Sequence, residues 1–200
     1  MTEVEIKLPV ASVAAVRRGL RRAGFTPGPR LFERNLVLDA PDARLRRSGQ
    51  LLRLRSKGGH WWLTWKDCPE GRHRHKVRRE IEIQVLDGGR AAEILARLGF
   101  QPALEYQKYR TEFRRRGSRG KALLDETPIG AYLELEGPPS WIDRTAGELG
   151  YRPEDYILDS YWSLYLAWCA RRGIEPTGMV FKGRAATRGG PSSGGSPGQT

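Results

Sequence analysis

The 200-residue sequence predicts an α+β fold, in which a dominant antiparallel sheet of about eight strands closes into a β-barrel with helices packed outside. Three observations predict it. About eight segments carry strand-like patterning, enough to close a sheet and leave no free edge. Most of them alternate charged with apolar positions, so that each strand has one charged and one oily face. Four helical patterns, two between strands and two after the last strand, could cover oily faces turned outward.

The strands are expected at residues 3–8, 31–38, 51–56, 61–66, 76–85, 106–114, 121–124 and 131–136. Helical patterns fall at 10–23, 90–98, 141–149 and 160–171. Gly24, Gly99 and Gly173 follow three of them, where a C-terminal cap belongs. Residues 183–200 (GRAATRGGPSSGGSPGQT) lack the apolar surface needed to offset ordering entropy and are expected to form a disordered tail.

Composition bounds the function classes. Residues are 38% hydrophobic and 29% charged, and no stretch approaches the roughly 18 apolar residues of a membrane helix. The first residues alternate charged and apolar types at once, unlike a secretory signal. Cys68 and Cys169 stand far apart without metal-ligand spacing, so a reducing cytoplasm is the expected location. The formal net charge of +12 calls for an anionic partner, which nucleic acid, an acidic membrane surface or a polyphosphate would each satisfy.

The pattern that bears on function is Glu-x-Glu inside strands: Glu3 with Glu5, Glu80 with Glu82, and Glu134 with Glu136. Strand alternation puts each pair on one face, about 7 Å apart, opposite Val4, Ile81 and Leu133. Basic residues obey the same parity, with Lys7 continuing the face of Glu3 and Glu5. Arg53 shares a face with Arg55, Thr64 with Lys66, and Lys108 with Arg110, while Lys76 and Arg78 lead into Glu80. Two readings compete. The charged faces are either the solvated outside of a half-buried sheet, or the lining of a barrel whose oily faces lie under the helices. The second accounts better for the segregation of signs strand by strand. Carboxylates crowded in a lumen need hard cations, basic residues beside them need anions, and a phosphate chain carrying Mg²⁺ or Mn²⁺ satisfies both.

At these residues the sequence resembles the CYTH superfamily, the triphosphate tunnel metalloenzymes. The resemblance starts with Glu3-x-Glu5-x-Lys7. It continues in order through Leu-Arg53-x-Arg55, Thr64-x-Lys66, Arg78-x-Glu80-x-Glu82, Lys108-x-Arg110, Leu124-Asp125, Glu134-x-Glu136 and Ser160-Tyr161. It covers residues 1–172, which would form the tunnel domain. It implies an eight-stranded tunnel holding a linear triphosphate and one or two divalent metals, Mg²⁺ or Mn²⁺. The implied metal ligands are Glu3, Glu5, Asp125, Glu134 and Glu136, with Glu80 and Glu82 as further candidates. The implied phosphate contacts are Lys7, Arg53, Arg55, Lys66, Arg78, Lys108 and Arg110, with Lys7, Lys66 and Glu136 expected to act directly in catalysis. The implied activity is metal-dependent triphosphatase, with class IV adenylyl cyclase or non-catalytic polyphosphate or RNA binding as alternatives. The partner is then a small triphosphate; nucleic acid is not favoured, and no membrane is involved.

Other residues carry less. His73 and His75 sit in a polar turn and read as exposed. Trp62 shares the parity of Thr64 and Lys66, so it either packs or stacks on a ring at the tunnel mouth. The arginines at 17, 18, 21 and 22 read as a solvated helix face.

Overall fold

The structure is a computed structural model that describes residues 2–71 and 74–182. The expected tail at 183–200 and His73 lie outside the described residues. In chain order the elements are β1 (Thr2–Val10), α1 (Val13–Arg22), β2 (Thr26–Asp39), α2 (Arg44–Arg47), β3 (Leu51–Lys57), β4 (His60–Lys66) and β5 (Lys76–Val85). Then come α3 (Gly88–Arg97), β6 (Gln101–Arg114), β7 (Lys121–Thr127), β8 (Gly130–Glu136), α4 (Pro139–Glu148), a 3₁₀ turn (Pro153–Asp155) and α5 (Tyr161–Ala170).

The sheet closes as an antiparallel barrel in the order β1-β5-β4-β3-β2-β6-β7-β8. Its apolar faces point outward. Ile6 and Leu8 of β1 and Leu133 and Leu135 of β8 are fully buried, packed with Leu20 of α1 and Trp141, Ile142 and Ala146 of α4. A second outer cluster joins Leu52 and Leu54 of β3 to Leu45 of α2 and Ala91 and Leu95 of α3. The starts of α1, α3 and α5 are capped by side chains: Ser12 Oγ accepts from Ala15 N, Asp87 Oδ1 from Gly89 N and Arg90 N, and Ser160 Oγ from Ser163 N. At the C-terminal side, Gly24 and Gly99 adopt φ of 81° and 89°, which a β-carbon disfavours.

The expected helical cover is incomplete. Ile81 and Ile83 on the outer face of β5 remain 50% and 54% exposed, because α3 lies over β3 rather than β5. Two strands also start about five residues earlier than expected, with Pro27 and Pro29 among the first residues of β2 and Pro102 at the start of β6, positions near a strand end where a missing N–H is tolerated. The short helix α2 went unanticipated. It is held by Asp39, a buried carboxylate that accepts from the backbone N–H groups of Ala40, Leu45 and Arg46.

One end of the barrel is stoppered. Tyr161 at the start of α5 packs with Val37, Leu104 and Tyr106, and its ring meets Tyr132 edge-on at 5.7 Å. The opposite end opens between Arg114, Arg119 and Lys121. Among the described residues no helix is long and apolar enough to cross a membrane.

Candidate functional site

Because apolar side chains occupy the outside, strand alternation forces the charged ones inward. They line a cavity of about 940 Å³ along the barrel axis. Its wall holds the basic residues Lys7, Arg53, Arg55, Lys66, Arg78, Lys108 and Arg110, together with Lys76. It also holds the acidic residues Glu3, Glu5, Glu80, Glu82, Glu134 and Glu136. Register sets the neighbours across strands: Glu5 opposes Glu136, Lys7 opposes Glu134, Lys66 opposes Glu80 and Arg53 opposes Thr64.

Each carboxylate is turned to a base. Lys66 Nζ donates to Glu3 and lies 3.3 Å from Glu80. Glu5 Oε1 lies 3.4 Å from Lys7 Nζ and 3.6 Å from both Lys76 Nζ and Arg78 Nη2. Glu134 accepts from Arg110 Nη2 and lies 3.4 Å from Lys7. Glu82 accepts from Thr64 Oγ1 at 2.7 Å, with Arg53 Nη2 at 3.6 Å, and Glu136 pairs with Lys121 at 2.9 Å. The lumen carboxylates are therefore not an array of bare like charges, as parity alone suggested.

Protonation follows from these contacts. Burial alone would raise the Glu5 carboxyl, but Lys7, Lys66 and Lys76 outweigh it and bring it down to about 2. Glu134 is likewise held well below the usual range, burial being overcome by Arg110 and Lys7. Glu3 moves the other way, raised by burial and the neighbouring Glu5. Lys76 is lowered to about 8 by burial and by the nearby Lys7.

Asp125 stands apart from the other acidic candidates. It is fully buried and does not line the cavity. Lys108 Nζ donates to it at 2.7 Å, Arg110 in a fork at 2.6 Å from two nitrogens, and the Tyr161 hydroxyl at 2.7 Å. It thus fixes two cavity cations from behind and ties them to the α5 stopper. Burial, with Asp125 next, pushes the Tyr161 phenol well up, which keeps it a donor.

Several site residues were not found by motif. Lys76 showed in the parity but not in the resemblance. Glu33 on β2 is fully buried with no hydrogen-bond partner to either oxygen, while Lys57 at 3.6 Å and Arg55 and Lys108 at 3.8 Å surround it. Those cations and Arg110 hold it far below the usual carboxylate range despite burial. Its strand mixes polar and apolar types on both faces, Leu31, Glu33, Asn35 and Val37 against Phe32, Arg34 and Leu36, so alternation assigned it no side. Trp62 is half-buried and does not line the cavity; Trp162 does. His75 binds Asp143 at 2.8 Å, away from the cavity wall.

Arg53 Nε and Arg78 Nε are buried and have no hydrogen-bond partner, an arrangement that disfavours the protein alone and favours an acceptor entering the cavity. The acidic lining has the chemistry a hard divalent cation needs. Glu5 and Glu136 oppose each other directly across β1 and β8, a like-charge pair that a cation relieves. Among the described residues no three acidic groups converge as a ready-made metal cluster, so binding an ion requires carboxylates to exchange their lysine and arginine partners.

The family model of the CYTH domain matches residues 1–149 of the chain. A candidate adenylate cyclase of Methanocaldococcus jannaschii is 28% identical over 136 residues, which is 68% of this chain and 77% of that protein. Among solved structures, a protein of Pyrococcus horikoshii OT3 superposes with a TM-score of 0.71 at 24% identity, covering 82% of this chain and 98% of its own. A candidate adenylyl cyclase of Hippeastrum, described as having a dominant triphosphatase activity, superposes with a TM-score of 0.60 at 18% identity, covering 88% and 98%. At these identities the two structures speak for the fold alone.

Proposed function

The chain belongs to the CYTH domain family, and from that premise we propose that it is a metal-dependent hydrolase that releases orthophosphate from triphosphate-bearing substrates. The observation that carries the reading is the buried basic wall, above all the unpartnered Nε groups of Arg53 and Arg78. A linear triphosphate is the small anion whose charge and length use such a wall, since each phosphate offers oxygens to guanidinium forks.

Water attacks the terminal phosphorus, the bridging P–O bond breaks, and the shortened chain leaves with the bond's electron pair. Arg53, Arg55 and Arg78 grip non-bridging oxygens, while Lys7, Lys66, Lys108 and Arg110 neutralise charge along the chain. Positioning and charge stabilisation supply most catalysis of phosphoryl transfer. Glu136 at the open end is the proposed acceptor that orients the attacking water, freed when Lys121 turns to phosphate. Glu3, Glu5, Glu134 and Glu136 would hold Mg²⁺ or Mn²⁺, which when bound supplies further charge neutralisation on the phosphates. Asp125 acts from behind, holding Lys108 and Arg110 in place.

Phosphate release from tripolyphosphate, thiamine triphosphate and ATP with Mg²⁺ or Mn²⁺ tests the proposal. Release from none of them overturns it. The name of the archaeal relative supports a second reading, cyclisation of ATP; cyclic AMP with pyrophosphate among the products, in place of orthophosphate, would establish it.

Two expected outcomes probe the wall. Arg53→Lys keeps the charge but removes the planar fork, so kcat/KM should fall by the equivalent of about 1–3 kcal/mol. Arg22→Lys on the exposed side of α1 should leave kinetics unchanged, and equal effects of the two would point to diffuse electrostatic binding instead. The second outcome concerns Lys76. Its ammonium is favoured in solution up to about pH 10.4, but burial and Lys7 bring it to about 8 in the fold. It is cationic and useful to phosphate below that value and neutral above. KM for tripolyphosphate should therefore rise as pH passes about 8, and Lys76→Met should remove that step from the profile. An unchanged step in the variant assigns it to another group.

A further inference from the structure

We infer that a notch in the barrel wall at the open mouth receives the organic group of a triphosphate ester, and that Leu31 determines which esters the tunnel accepts. This rests on the triphosphatase reading and locates the part of the substrate that reading leaves undefined. The notch is a second cavity of about 390 Å³ that shares Arg110 and Arg114 with the main tunnel.

Its origin is legible in the chain. Pro27 and Pro29 carry no N–H, so β2 cannot keep its ladder with β6 there. The register slips between Pro27, opposite Phe113, and Arg30, opposite Thr111. A bulge of this kind turns a strand away from its neighbour, and here it opens the wall beside the lumen. Leu31 stands opposite Arg110 and shares the inward face of Glu33, so the row of lumen side chains on β2 ends at its mouth in an apolar residue. Lys57, opposite Glu33 on β3, completes the rim.

The notch thus combines an apolar floor of Pro27, Pro29 and Leu31 with the cations Lys57, Arg110 and Arg114 and with one carboxylate, Glu112, which accepts from Arg114 and must give it up to an incoming ligand. That is the chemistry of a flat ring joined to a phosphate. The ring packs on Leu31 and the prolines, the guanidinium of Arg114 stacks on it or takes the nearest phosphate, and Arg110 holds the chain where it turns into the tunnel. The volume lies within the range of small-molecule sites. Inorganic tripolyphosphate has no group to place there and uses the tunnel alone.

Leu31→Trp narrows the notch and replaces no residue of the phosphate wall. Wild type and variant are compared in kcat/KM on tripolyphosphate, thiamine triphosphate and ATP, and in calorimetric binding of the same three compounds. The wild type should favour one ring-bearing ester over tripolyphosphate, and which one identifies the ring. Leu31→Trp should cut kcat/KM for that ester about 10-fold or more, mainly through KM, while tripolyphosphate stays within about twofold. Leu31→Ala, which keeps the fold if tryptophan does not, should weaken the ester alone in the same sense. Equal losses on all three compounds, no loss on the ester, or a wild type that processes only tripolyphosphate would overturn the inference and leave the triphosphatase reading standing. If nothing is hydrolysed, the triphosphatase reading fails and binding decides the notch: a preference for a ring-bearing triphosphate that Leu31→Trp removes supports it, and equal binding of all three compounds overturns it.

Discussion

Glu134→Gln is expected to lower turnover by about 100-fold or more, the scale on which single charge-organising groups act in such sites. It is also expected to destabilise the ligand-free protein. Glutamine preserves shape but removes the charge that Arg110 and Lys7 share at the cavity wall, and removing one partner of a buried pair typically costs about 3–5 kcal/mol. Parity alone argues the opposite, that a crowded carboxylate relieves repulsion when neutralised. The difference is the cation contacts, which only the folded barrel reveals. Tripolyphosphate should restore much of the lost melting temperature, because an anion in the tunnel supplies the missing counter-charge and stabilises by about 2.7 kcal/mol at 100 times its Kd. Thermal melts with and without tripolyphosphate check this. A variant as stable as wild type without ligand would mean that Glu134 balances no buried cation.

Leu133→Asp should unfold the protein or cost more than about 4 kcal/mol, since Leu133 is fully buried between β8 and the outer helices and an aspartate there finds no base. Ile81→Asp, likewise on the outward face of a Glu-x-Glu strand, should cost about 1 kcal/mol or less, because its side chain is half exposed. Urea denaturation of both variants measures the contrast. Equal losses would require the outer face of β5 to be covered in solution.

The substitution experiments at the wall and the notch separate two layers of the site. Under the proposed reading the wall residues act on every triphosphate, whereas Leu31 acts only on those with an organic group. Arg110 belongs to both, lining tunnel and notch while its fork is held by Asp125.

Local patterning determined the strands, their charged faces and the capping of the main helices, because alternation and caps depend on residues a few positions apart. The ordered motifs from Glu3 to Tyr161 also named most of the cavity's charged lining, missing Lys76, Arg114, Arg119 and Lys121. What lay beyond the sequence depended on registers and on which helix covers which strand. Ile81 and Leu135 each sit between the two carboxylates of a Glu-x-Glu pair, yet Leu135 is buried under the helices and Ile81 is half exposed. Asp125 carries a ligand-like motif, and only the fold shows that it is contacted by Lys108, Arg110 and Tyr161, three groups brought from two other elements. Glu33 gave no parity signal, because both faces of β2 mix polar and apolar residues, and its burial among Arg55, Lys57 and Lys108 arises only when β3 and β6 flank β2. Pro27 and Pro29, outside the strand expected at 31–38, are kept within β2 because the ladder resumes after the bulge. Their pairing with β6 spans more than eighty residues of chain, a separation at which no local rule operates and only closure of the barrel decides.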